Sequence, residues 1–242
     1  MTTVLVTGDS SGIGLATIRR LLATTDWRVV GIARRTPPEL EALVQTHTGR
    51  FVHIPFDLAD LDRLEAELPT LLANASDAYS GFLDNAGIVT HSLVTGLARD
   101  DLESVMRINF FAPALLCRLM VRHFVSHKIP GSIVHVSSVA AQTGFRGLTA
   151  YSAAKGALEA FSRALAAEWG SRGIRSNVLS LGLLDIGISR SLSSSYVEGV
   201  RSRSPLGHLT DLATVLDAIA YLLSPRSASI TAQTININAG LR

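Results

Sequence analysis

The tightest constraint on the fold lies at the start of the chain. There the apolar run Val4-Leu5-Val6-Thr7 breaks into Gly8-Asp9-Ser10-Ser11-Gly12-Ile13-Gly14, then resumes as Leu15, Ile18, Leu21 and Leu22 at helical spacing. This reads as a strand, a glycine turn and a helix. Glycine allows a tight turn and close backbone approach, and the first turn of a helix offers unpaired N–H groups and a positive dipole end to an anion. Such turns also end strands for structural reasons alone. At a first strand-to-helix junction, however, the pattern points to a pyrophosphate, with Gly8, Ser10, Ser11, Gly12, Ile13 and Gly14 as its contacts. Asp9 is unfavourable beside phosphates unless its side chain turns away.

The alternation continues. Residues 28–33, 51–55, 81–84, 132–136, 175–180 and 233–238 read as further strands, and helices are expected near 39–47, 60–73, 99–127, 149–168 and 209–223. This order implies a parallel α/β sheet with right-handed crossovers and helices on both faces, a doubly wound Rossmann arrangement. With 242 residues, 47% of them apolar, the chain suffices for a single domain over 1–242. Only 17% of residues are charged and the net charge is +2, so the dense basic patch of a nucleic-acid binder is missing. The first residues enter a strand with no leader and no apolar run of spanning length follows, so a cytoplasmic protein with no membrane partner is expected. Cys117, the only cysteine, excludes a disulfide framework and a zinc cluster within one chain, and no metal is expected.

The strand ends carry the chemistry. A dinucleotide's adenosine ribose falls at the end of the second strand, where an acidic residue would accept from a free 2′-hydroxyl and an arginine would neutralise a 2′-phosphate. Ala33-Arg34-Arg35 therefore favours NADP(H) over NAD(H). Asp57 after the third strand can accept from an adenine amino group or cap the following helix. Asn85-Ala86-Gly87 makes a small turn against which a ribose can lie. Asn109 interrupts an apolar helical face and needs a partner, either a structural hydrogen bond or a water. Ser137 and Ser138 end the fifth strand facing the crevice, where Ser138 can bond a substrate oxygen. Tyr151 and Lys155 sit one helical turn apart, a spacing that ordinary surface helices also show. An ammonium there favours the phenolate and makes Tyr151 a proton donor or acceptor.

Thr7-Gly8-x-x-x-Gly12-x-Gly14, Asn85-Ala86-Gly87, Asn109, Ser138 and Tyr151-x-x-x-Lys155 together resemble the short-chain dehydrogenase/reductase family over nearly the whole chain. The chain is similar in particular to bacterial 3-oxoacyl-[acyl-carrier-protein] reductases. The resemblance implies a seven-stranded sheet of order 3-2-1-4-5-6-7. It implies Tyr151 as general acid in reduction, Lys155 on the nicotinamide ribose, Ser138 polarising the carbonyl and Asn109 anchoring a proton relay. Cofactor contacts are implied at Asp57, Leu58, Gly182 and Leu184, and a substrate loop at about 187–207, with Leu192, Tyr196 and Val200 as wall residues. Three positions depart from the pattern: Asp84 replaces an asparagine, Leu181 a proline and Ile186 a threonine that meets the cofactor.

The implied substrate is a small-molecule or acyl-carrier-bound carbonyl. For the latter, Arg172, with Lys128, is the implied contact to an acidic carrier, although a helix dipole alone also favours a cation at Arg172. A reductase of a free ketone, steroid or sugar alcohol is the alternative enzyme, and a non-catalytic NADP(H) sensor the alternative of another class. Apolar positions beyond one core face on the helices at 99–127 and 151–172 imply a homodimer or homotetramer.

Overall fold

The structure, a computed structural model, describes residues 2–186 and 193–241. Seven strands, β1 (Thr3–Thr7), β2 (Arg28–Ala33), β3 (Phe51–Pro55), β4 (Gly81–Asp84), β5 (Ser132–Ser138), β6 (Arg175–Leu181) and β7 (Thr234–Ile237), pair in parallel in the order β3-β2-β1-β4-β5-β6-β7. The chain moves outward from β1 in one direction through β2 and β3, then crosses back to β4 on its other side. Between β1 and β4 lies the switch point at which open α/β sheets form a ligand crevice.

Strand periodicity sorts the core into two layers. Val4 and Val6 of β1, with Val29, Leu83, Val134 and Leu179, face helices α1 (Gly12–Thr24), α2 (Pro38–Thr46) and α9 (Leu212–Leu223). Leu5 points the other way and joins Val30, Ile32, Ile54, Phe82 and Ile133 beneath α3 (Leu61–Ala66), α4 (Leu68–Ala75), α6 (Ala112–His127) and α7 (Thr149–Trp169). Both sheet faces are covered, so the strands read as nearly continuous apolar runs.

Prolines divide two of the expected helices. The helix expected over 60–73 is α3 and α4, because Pro69 has no N–H for the carbonyl of Glu65. The region 99–127 is likewise α5 (Arg99–Met106), a π turn over Arg107–Phe111, and α6. Pro113 lacks the N–H that would pair with Asn109, and the Ala112 N–H reaches back to Arg107 O. By length and composition alone, Arg99–His127 is apolar enough to cross a membrane. In the fold its side chains Leu116, Cys117, Met120 and Phe124 fill the core. The serine-rich segment contributes α8 (Ser194–Arg203), capped by Ser193, while the expected loop residues 187–192 lie outside the described residues.

The ring of Phe124 packs where a Cβ on Gly131 would stand, 2.2 Å from its Cδ2, and fastens α6 to the start of β5. Phe124→Ala is expected to cost about 3–5 kcal/mol of unfolding free energy, measured by denaturant titration.

Candidate active site

The cleft at the carboxyl ends of the strands encloses about 880 Å³, within the range of small-molecule sites. Its walls include Gly8, Ser10, Ser11, Gly12, Ile13, Arg34, Asp57, Leu58, Asn85, Ala86 and Gly87. Ser138, Tyr151, Lys155, Gly182 and Leu184 complete the set. Of the expected site residues, Gly14 and Asn109 stand behind this surface rather than on it.

At the phosphate end, a Cβ on Gly14 would lie 2.2 Å from Gly8 O, so the turn closes only on glycine. Ser11, the N-cap of α1, makes no side-chain cap bond, and the first turn carries no acidic residue. The opening N–H groups therefore remain available to an anion. Asp9 does turn away: its carboxylate is fully buried and accepts from His53 Nδ1 at 2.7 Å. Burial raises its pKa, and the His53 contact opposes that shift. Asn85 does more than leave room for a ribose. Its Nδ2 donates to Thr7 O at 2.8 Å, and the backbone N–H groups of Asn85 and Ala86 donate to Thr7 Oγ1 at 3.0 and 3.1 Å. Thr7 thus joins β1 to the end of β4.

At the adenosine end, Arg34 and Asp57 face each other across the mouth, with Nη1 3.9 Å from Oδ2. Asp57 accepts from the Ala59 N–H at 3.0 Å, and the helix that follows is capped by Asp60 instead. The alternative reading of Asp57 as the cap is thereby removed.

At the reaction end, β5 delivers Ser138, and α7 delivers Tyr151 and Lys155. Asn109 is fully buried in the π turn. Its Nδ2 donates to Ile88 O and Val105 O, both at 2.9 Å, and its Oδ1 accepts from the Ile88 N–H at 3.3 Å. Its amide is used on backbone. A Cβ on Gly87 would lie 2.8 Å from Asn109 Oδ1 and 3.8 Å from Lys155 Nζ, so glycine here lets both approach the same backbone.

Lys155 donates to Val136 O at 2.8 Å, and its Nζ stands 5.9 Å from the centroid of the Tyr151 ring. The sequence expectation that Lys155 lowers the Tyr151 pKa is not met by this arrangement. Burial pushes the phenol up to about 12, and the Ser138 hydroxyl works against that shift. Burial likewise lowers the Lys155 pKa, while the negative charge of Asp84 raises it. With the ammonium turned to a backbone carbonyl, desolvation governs the phenol.

Three buried contacts have no simple sequence signature. Asp84 Oδ2 accepts from His135 Nδ1 at 3.0 Å, which satisfies His135 as a strand residue. Ser137 donates to Glu159 Oε1 at 2.8 Å. Gly182 lies against Thr210 and Asn238, where a Cβ would meet Thr210 Oγ1 at 2.5 Å. Leu181, Ile186, Tyr196 and Val200 line the cleft, and Leu192 lies outside the described residues. Arg172 and Lys128 precede β6 and β5, at the amino ends of the strands. A strand the length of β6 separates them from this cleft, roughly 20 Å.

Among known proteins, a family model described as enoyl-(acyl carrier protein) reductase matches residues 8–242. The L-xylulose reductase of Caenorhabditis elegans is 30% identical over 239 residues, covering 98% of this chain and 94% of that one. The 3-oxoacyl-[acyl-carrier-protein] reductase FabG of Vibrio harveyi is 29% identical over 238 residues, covering 98% and 96%. A solved 4-hydroxyisoleucine dehydrogenase complexed with NADH shares the fold, with a TM-score of 0.92 at 23% identity over 99% of this chain and 98% of that one. Fold and relatives define a nicotinamide-cofactor oxidoreductase. The chain belongs to the short-chain dehydrogenase/reductase family.

Asp84→Asn removes the charge that holds the Lys155 pKa up against burial. Lys155 then loses its proton at lower pH, and the alkaline decline of turnover is expected to begin at lower pH than in the unaltered protein. A pH–rate profile of both proteins checks this.

Proposed function

We propose that this chain is an NADP(H)-dependent reductase of carbonyl groups, acting on a 3-oxoacyl thioester or a related ketone and, in reverse, on the corresponding secondary alcohol. One observation carries the reading. A cleft with a glycine-turn anion seat at one end gathers Ser138, Tyr151 and Lys155 at the other, with Asn109 behind them.

The fit to the cofactor rests on what the residues offer. The uncapped first turn of α1 would take the pyrophosphate, Arg34 a 2′-phosphate, and Asp57 with Leu58 the adenine side. Asn85, Ala86 and Gly87 would face the nicotinamide ribose, and Gly182 and Leu184 the far wall. Arg34 is the ground for preferring NADP(H), since a guanidinium pairs well with a phosphate dianion. The bound nicotinamide would supply the hydride.

The protein supplies position and proton. Ser138 donates a hydrogen bond to the carbonyl oxygen and polarises it, and Tyr151 passes its proton to the same oxygen as charge develops there. A phenol with its pKa raised toward 12 is fully protonated near neutrality, the form that reduction requires. Lys155, whose Nζ donates to Val136 O and stands 5.9 Å from the Tyr151 ring centroid, would hold the nicotinamide ribose. Asn109 fixes the backbone around Ile88.

Phe145, Leu183, Val200 and Leu241 give the substrate end an apolar wall, which suits an acyl chain. The acyl-carrier-protein reductases among the relatives favour the thioester, and the xylulose reductase favours the reading of a free sugar ketone as second substrate class. A cytoplasmic location fits either. Leu102, Phe111 and Val125 leave apolar area exposed along α5, the π turn and α6, which supports a homodimer or homotetramer; a monomer on gel filtration would overturn that assembly.

NADPH oxidation with a short 3-oxoacyl thioester, run beside NADH and beside a free ketone, tests the function. Turnover is expected to prefer NADPH and to fall at least about a hundredfold in Tyr151→Phe, the usual weight of a positioned proton donor. Retention of activity in that variant would remove Tyr151 from the mechanism.

A further inference from the structure

Behind the phosphate turn, three side chains that do not line the cleft connect two loops that do. The Asp9 carboxylate leaves the turn, passes over Gly31 of β2 and ends at His53 of β3. Gly31 is registered between Val6 of β1 and His53 of β3, and a Cβ there would lie 2.0 Å from Asp9 Oδ2. This gap in the side-chain layer is the space the carboxylate occupies. Asp9 is 0% and the His53 side chain 3% exposed.

A carboxylate only accepts, so His53 donates from Nδ1, and its Nε2 meets Thr36 Oγ1 at 3.0 Å. Thr36 follows Arg34 and Arg35 in the turn between β2 and α2, and those two arginines line the cleft whereas Thr36 does not. Asp9 Oδ1 is buried without a partner. An anion kept so close to a phosphate seat is costly. A fold that retains it gains a fixed anchor reaching from the glycine turn to the neighbouring loop.

We propose that Asp9, His53 and Thr36 are positioning residues for cofactor selection: the chain of contacts Asp9–His53–Thr36 ties the Arg34–Arg35 turn to the phosphate turn and holds Arg34 where a 2′-phosphate is read. The inference rests on the NADP(H) reading above. It extends that reading from the arginine that meets the phosphate to the buried side chains that place it. Arg34 is exposed and, among the described residues, its carboxylate neighbour Asp57 stands at 3.9 Å, so its backbone anchor decides where its head can reach.

Direct binding of NADPH and NADH, followed by the fluorescence of the reduced nicotinamide, tests this without a substrate. Thr36→Val removes the hydroxyl and leaves the Asp9–His53 pair intact. It is expected to raise the Kd for NADPH about threefold to tenfold, the weight of one hydrogen bond, and to move the Kd for NADH less than about twofold. Thr36→Ser should restore NADPH binding. In an Arg34→Ala background the Thr36→Val effect should vanish, because the two residues act as one unit.

Equal losses for both cofactors, no rescue by serine, or additivity with Arg34→Ala would each overturn the proposal and leave the network a purely structural contact. Arg34→Ala by itself separates the two levels. If it leaves the NADPH-to-NADH preference unchanged, the NADP(H) reading falls and this inference with it. If it lowers that preference while Thr36→Val does not, only the inference falls.

Discussion

The crossing of backbone at Gly8, Gly14 and Asn85 is the constraint on which the rest of the molecule depends. Gly14 stands so close to Gly8 O that no side chain fits, and Asn85 Nδ2 occupies the adjoining space at 2.8 Å from the same imagined Cβ. This contact brings the first turn of α1 against the end of β4 and sets the floor of the crevice. It also explains why Thr7 receives two backbone N–H donors from the β4 turn. Without that closure, the anion seat and the reaction end would belong to loops free to separate.

From this floor the site extends outward by buried polar contacts, each with a charged or amide group held by backbone or by one partner. Asn109 holds Ile88, Lys155 holds Val136 O, Asp84 holds His135, and Asp9 holds His53. Buried polar groups of this kind are costly when unpaired and rigid when paired. Their concentration on the crevice side of the sheet gives precise geometry to groups that must meet a ligand. The two apolar layers give stability in turn, and a few of their members, among them Ile32, Leu58, Val136 and Leu184, also line the cleft.

Much of this was legible from residue order. Alternating apolar strands and helical segments implied the parallel sheet, and the glycine turn, Ser138 and the Tyr151–Lys155 spacing mark one cleft because strand ends converge there. Helix boundaries were less legible, since Pro69 and Pro113 act through hydrogen bonds they fail to make. Thus one helical period over 99–127, broken in its apolar face only by Asn109, contains a π turn. Asp57 admitted two readings until Asp60 took the helix cap. The phenol of Tyr151 went the other way from expectation, because spacing along a helix says nothing about burial or about a competing carbonyl at Val136.

The sequence by itself determined the class of fold, the glycine turn and the set of side chains that meet in the cleft. These depend on local period, on glycine at fixed offsets and on residue chemistry, all of which are properties of short segments. Only the tertiary structure decided which buried groups became partners: Asp9 with His53, Asp84 with His135, Asn109 with Ile88. The physical reason is that such pairs join residues 21 to 51 positions apart across neighbouring strands and turns. No local pattern records a contact whose existence depends on strand order, on register and on the space left by a glycine in between.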